Sequence, residues 1–136
     1  MTRRALGLVA VGGTVGALAR YGLARAFPVA AGTFPTTTFV INVSGAFVLT
    51  VLLEWLARRG TPEHWLRLLI GVGVLGAFTT FSTFASELAL LWRDHERTIA
   101  VEYAVVSVVA GVLAVVLGLV VTGGRRAIPL PDEGES

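Results

Sequence analysis

Residues 68–86 read LLIGVGVLGAFTTFSTFAS, nineteen residues without a charge between Arg67 and Glu87. A helix rising about 1.5 Å per residue needs roughly 20 residues to cross about 30 Å of hydrocarbon, so this run points to the membrane by itself. Inside it, Gly71, Gly73 and Gly76 lead into GAFTTFSTF, from Gly76 to Phe84. Phe78, Phe81 and Phe84 recur every three residues, with Thr79, Thr80, Ser82 and Thr83 interleaved. An apolar helix has no need of that many hydroxyls. The pattern reads as a broken helix whose freed carbonyls lie near the bilayer middle, where they are natural ligands for a small hard cation. The competing reading is a kink whose hydroxyls bond back to the preceding turn.

Three more uncharged runs flank this one: 15 residues from Ala5 to Ala19, 28 from Ala26 to Leu53, and 22 from Tyr103 to Gly124. The first reaches spanning length if Arg20 lies near one end and snorkels to the headgroups beside Tyr21. Four spans follow, at about Ala5–Ala26, Pro35–Ala57, Arg67–Trp92 and Thr98–Thr122. Their links carry turn or cap signals: FPVAAGTFP, RRGTPEH with Thr61-Pro62-Glu63 as a helix start, and WRDHER. Trp55, Trp65 and Trp92 fall near span ends, where amphipathic rings favour the interface. Residues 1–124 thus form a four-span membrane domain. Residues 125–136, with two prolines and three acids, are expected to be a disordered polar tail. A cleaved signal peptide, with Arg3 and Arg4 before an apolar run and Ala17-Leu18-Ala19 as the cut site, is the weaker reading. Three spans follow directly, and the run is rich in glycine rather than leucine.

The whole composition agrees. Of 136 residues 54% are hydrophobic and 15% charged, and mean hydropathy is +0.77, above the range of water-soluble domains. The absence of cysteine excludes disulfide scaffolds, thiol catalysis and thiolate-ligated clusters. A net charge of +2 is too small, and too scattered along the chain, to imply nucleic-acid binding. His64 and His95 lie in loops on opposite sides with no second ligand at metal spacing, and Glu54, Glu63, Asp94 and Glu96 read as solvated loop charges. No catalytic constellation emerges, so the chain is not expected to be an enzyme.

What the spans do contain is neutral polar groups. Thr38, Asn42 and Gly45 share one helical face, which must meet protein or water because an unpartnered amide is costly in hydrocarbon. That face reads equally well as interhelical glue and as a pathway donor. Tyr103, Ser107 and Gly111 follow at four-residue steps, with Gly118 seven further on. The glycines fit close packing at least as well as a pore lining, whereas Tyr103 and Ser107 are donors. Glu87, at the end of the third run, reads as near an interface or paired. Amides and hydroxyls donate, and aromatic ring edges carry the positive end of the ring quadrupole. Such a lining offers a dehydrating anion partial positive charge without a full cation to trap it, as passive conduction requires. Small, strongly accepting anions suit it best.

These strings resemble those of the CrcB/Fluc fluoride channels: GGTVGALARY from Gly12 to Tyr21, TFVINVSGAF around Asn42, GAFTTFSTF, and Tyr103 with Ser107. The resemblance runs from Gly12 to Gly118. It implies an antiparallel dimer of four-span subunits with two fluoride pathways that let the anion leave the cytoplasm. By resemblance, the ring edges of Phe81 and Phe84 would face fluoride, and Asn42 would be the essential pathway amide. Ser82, Thr83, Tyr103 and Ser107 would line a polar track, to which Thr38 is added from its place beside Asn42. Carbonyls of Gly76 and Thr79 from both subunits would hold a structural sodium ion at the dimer centre, and Arg20 would match the family's vestibule arginine. Ala77 stands where many members have glycine.

The expected fold is therefore all-α, with four transmembrane helices, the third broken, in the bacterial plasma membrane. Seven arginines fall on the side of the termini and four on the other, a modest bias toward cytoplasmic termini. That bias leaves both an antiparallel homodimer and a heterodimer with an oppositely oriented paralogue open. No Walker loop is present, and about 2.3 kcal/mol per charge per 100 mV already drives an anion from a negative-inside cell. Two rivals differ in kind. A small multidrug transporter would need a glutamate in its first span, which Ala5–Ala19 lacks. A non-transporting assembly subunit would use the polar stripes only to hold helices together.

Overall fold

The computed structural model describes residues 2–59 and 64–123. The proposed helix start at Thr61-Pro62-Glu63 and the tail 125–136 lie outside them. The described residues are all-helical: α1 Arg3–Ala26, α2 Thr36–Arg58, α3 His64–Leu66, a π-helix Arg67–Leu75, α4 Gly76–Phe78, α5 Phe81–Arg93 and α6 Arg97–Val121. Among the described residues, four segments are long and apolar enough to cross a membrane: Arg3–Ala26, Thr36–Arg58, Arg67–Arg93 and Arg97–Val121. Each boundary falls within one or two residues of the sequence expectation, because spans end where charges begin.

Helix ends follow local chemistry. The Thr2 side chain accepts from the Ala5 N–H to cap α1, and Thr80 does the same for Thr83 at the start of α5. Proline at 35 precedes α2, as a residue without an N–H can. Trp55 and Trp92 each lie near a helix end under a guanidinium, Arg59 at 3.9 Å and Arg97 at 5.4 Å from the ring centroid. One such pair stands at each end of the bundle, consistent with aromatic anchoring at both interfaces.

Inside a bilayer, helices gain little from apolar burial and associate by close packing. Here α1 packs on the π-helix and α4, α2 on α6, and α5 on α6. At the first of these contacts, backbones touch. A Cβ on Gly12 would collide with the Leu69 carbonyl oxygen, one on Gly16 with the Val74 carbonyl oxygen, and one on Gly73 would stand 2.9 Å from the Gly12 Cα. The π-helix that meets this surface is wider than an α-helix, its hydrogen bonds stepping back five residues, as from the Gly76 N–H to the Gly71 carbonyl. At the α2–α6 contact, Gly118 lies against Thr50, where a Cβ would stand 2.9 Å from the Thr50 Cβ.

The aromatic core sits at the other end of the molecule. Leu91, Ala100 and Tyr103 are buried, with Phe34, Phe39, Phe84, Leu88 and Ile99 packed around them. By contrast, Val101, Val105, Val108 and Val112 form an exposed stripe along α6.

Candidate ion pathway

The site grows from the two residues between α4 and α5. Thr79 (φ −73°, ψ 155°) and Thr80 (φ −148°, ψ 118°) are extended, so the helical ladder ends with the Thr79 N–H on the Leu75 carbonyl at 3.1 Å and a new helix starts at Phe81. Peptide groups leaving a helix at this depth need partners. Asn42 supplies two: its Oδ1 accepts from the Thr80 N–H at 2.8 Å and its Nδ2 donates to the Thr80 carbonyl at 3.0 Å. Arg20 supplies a third, its Nε donating to the Ala77 carbonyl at 3.1 Å. Gly45 makes room, since a Cβ there would collide with the Thr79 methyl.

Arg20 therefore departs from the expectation that it snorkels to the headgroups. It is half-buried and turned inward, because Ala77 offers a carbonyl that α4 does not occupy. Part of the kink reading is also realised, at one residue. The Thr79 hydroxyl bonds back to the Leu75 carbonyl at 3.0 Å, four residues earlier. The other three hydroxyls of the cluster gather on one another. Thr80 Oγ1 donates to Thr83 Oγ1 at 3.0 Å, accepts from the Thr83 N–H at 3.1 Å, and stands 3.2 Å from Ser82 Oγ.

Beside this knot an open groove of about 400 Å³ runs between α2, α5 and α6. Asn42, Gly45, Thr79, Thr80, Phe81, Phe84 and Ser107 line it. The rings of Phe81 and Phe84 lie 6.0 Å apart, centroid to centroid, and Phe81 is 80% exposed. Among the described residues, Ser107 Oγ is the buried side-chain oxygen left without a hydrogen-bond partner. Four expected site residues, Asn42, Phe81, Phe84 and Ser107, thus meet in one groove, drawn from three helices. A second cavity, about 580 Å³, lies on the α1 side and is lined by Arg20, Tyr21, Thr38, Thr80 and Thr83 among others. Thr38 and Thr83 face this cavity and do not line the groove.

Tyr103 is also set back from the groove. It is fully buried, and its hydroxyl donates to Glu87 Oε2 at 2.7 Å. The other carboxyl oxygen, Oε1, accepts from Thr38 Oγ1 at 2.7 Å. One acid thereby ties α5 to both α2 and α6. Sequence reasoning placed Glu87 near an interface or in a pair but gave it no role. Its partners stand 49 and 16 residues away, and no spacing rule connects them. The signal that could have found it is an acid inside an otherwise uncharged span, which is costly without partners. Gly76 opens α4 and Thr79 follows it, and no hydrogen bond to either carbonyl occurs outside the helices among the described residues.

Comparison with known proteins identifies the family. A family described as CrcB-like protein, Camphor Resistance (CrcB), matches residues 7–119. The chain is 48% identical to the fluoride-specific ion channel FluC of Novosphingobium aromaticivorans, over 88% of this chain and 97% of the relative. It is 40% identical to FluC 1 of Lactiplantibacillus plantarum, over 85% and 97%, and 44% identical to FluC of Caulobacter vibrioides, over 84% and 91%. With a family match across nearly every span and relatives this similar over almost their whole length, the chain belongs to the CrcB family.

Proposed function

We propose that this protein is a passive, non-enzymatic fluoride channel of the bacterial cell membrane, which lowers cytoplasmic fluoride by letting the anion run out. One observation carries the reading: a groove open to one side holds an amide, two phenylalanine rings and an unpartnered hydroxyl. Asn42 uses one amide hydrogen on Thr80 and has a second to offer. The Ser107 hydroxyl can donate without breaking a bond it already makes. Phe81 and Phe84 present rings whose edges are weakly positive. Each group is neutral, so an anion exchanging water for this lining is stabilised without being trapped. Fluoride, compact and a strong acceptor, gains more from such donors than chloride does.

The groove is unwalled on the side where Phe81 is exposed. We read the missing wall as a second subunit, arranged antiparallel, in a homodimer or with an oppositely oriented paralogue. Thr38 and Thr83 then belong to the Arg20 cavity, which we read as the vestibule, Ser82 joins the polar track through Thr80, and Tyr103 backs the groove from behind Phe84. The third span works as two half-helices, and the residues at its break suit a sodium ion. The Thr80 N–H, normally the partner of the Gly76 carbonyl in a helix, is taken by Asn42, which leaves that hard oxygen free beside Thr79. When bound at Gly76 and Thr79, the ion would supply fixed positive charge that holds two subunits together.

Reconstitution tests the proposal. Liposomes loaded with fluoride are expected to empty rapidly, without a proton gradient and with little loss of chloride. Proton-dependent flux would instead favour a small multidrug-type transporter, and no flux from folded protein a non-transporting assembly subunit.

A further inference from the structure

We infer that Glu87 is a positioning residue that acts through Tyr103 to orient the Phe84 ring in the groove. The inference rests on the channel reading and adds a residue that contacts the pathway only at second hand. Glu87 is absent from the groove lining, whereas Phe84, one helical turn earlier on α5, is part of it. The carboxyl lines a separate cavity of about 270 Å³ beneath the loop of residues 29–35, together with Arg93 and Asp94. Between carboxyl and groove stand two rings. Tyr103 packs on Phe84 at 4.9 Å between centroids and edge-on to Phe34 at 5.2 Å, with no exposed surface of its own.

A fully buried tyrosine needs a partner for its hydroxyl, and Glu87 Oε2 fills that need at 2.7 Å. Fixing the hydroxyl fixes the ring, and the ring is the surface on which Phe84 rests. The same carboxyl holds Thr38, one turn before Asn42 on α2. Both walls of the groove are therefore indexed to a single acid. Its placement also resolves an electrostatic conflict. A carboxylate lining the groove would repel an anion, whereas one behind two rings can organise the lining without facing it.

The test compares Glu87→Ala, Glu87→Gln, Tyr103→Phe and the double variant Glu87→Ala/Tyr103→Phe, each checked for native elution and assayed for fluoride efflux from liposomes beside the unaltered channel. Glu87→Ala and Tyr103→Phe are each expected to slow efflux about tenfold, and the double variant to be no slower than the slower single. Glu87→Gln keeps a carbonyl acceptor and is expected to recover most of the rate lost in Glu87→Ala. Independently of flux, ¹³C resonances of the Phe84 ring are expected to move in both single variants while those of Phe47 stay in place. Faster efflux in Glu87→Ala, multiplicative losses in the double variant, or unmoved Phe84 resonances would each overturn the inference. An unaltered channel that passes no fluoride would instead sink the channel reading, and the Phe84 resonances would still judge the link to Glu87. Should Glu87→Ala fail to assemble, Glu87→Gln and Tyr103→Phe carry the same comparison.

Discussion

The two halves of the third span pack by opposite means. On the N-terminal side, the π-helix meets α1 with glycine against backbone at Gly12, Gly16 and Gly73, and no side chain intervenes. On the C-terminal side, α5 meets its neighbours through an amide, hydroxyls, rings and a carboxyl. The first contact is dense and chemically featureless; the second is polar and leaves a groove. Backbone packs on backbone along one half, whereas in the other the Thr80 peptide is hydrogen-bonded to the Asn42 side chain. Rigidity and chemistry are thus divided along a single helix.

That contrast can be broken most severely at the rings. Phe81→Ile or Phe84→Ile keeps apolar volume but removes the ring edge, and each is expected to reduce fluoride efflux at least about 100-fold, equivalent to roughly 2.7 kcal/mol, with assembly intact. Unchanged efflux in both would leave the rings with packing alone. Asn42→Asp comes next. It turns the donor to the Thr80 carbonyl into a second acceptor and places negative charge in the groove, so efflux is expected to fall about as far, with a lower melting temperature as well.

The anchored half answers to different measurements. Gly16→Ala adds a methyl where the Val74 carbonyl oxygen already sits, and is expected to lower stability by about 1–3 kcal/mol in a thermal or denaturant titration. Gly111→Ala is the control, because nothing stands within 4 Å of its added Cβ, and no measurable change is expected. If the two alanines behave alike, backbone contact is not what anchors α1. Ser107→Ala has the smallest expected effect among the groove variants. Its hydroxyl has no bond to lose, so stability is expected to hold while efflux slows a few-fold, by about 1 kcal/mol in barrier.

The sequence makes the four spans readable because the signal is local. Charges at Arg58, Arg67, Arg93 and Arg97 mark where helices meet water, and the described helices end there. The residues gathered at the groove were also legible, since amides, hydroxyls and clustered phenylalanines inside a span demand an explanation. What could not be read was pairing. Asn42 and Thr80 lie 38 residues apart, and Arg20 and Ala77 lie 57 apart. Periodicity places each on a face but cannot say which peptide it meets. The reading of Arg20 went astray for that reason: a lone cation near a span end has two outlets, water or an open carbonyl, and only the second depends on another helix. The π-helix over RLLIGVGVL was equally hidden, because no residue in that stretch marks a five-residue hydrogen-bond step.

The solitary hydroxyl of Ser107 has a use beyond its chemistry. An O–H bond with no acceptor vibrates at a higher frequency than one held by a carbonyl, and it shifts toward the red and broadens when an acceptor arrives. Difference infrared spectra recorded with and without the halide, and repeated in Ser107→Ala to identify the band, would test without any label whether the anion reaches this atom.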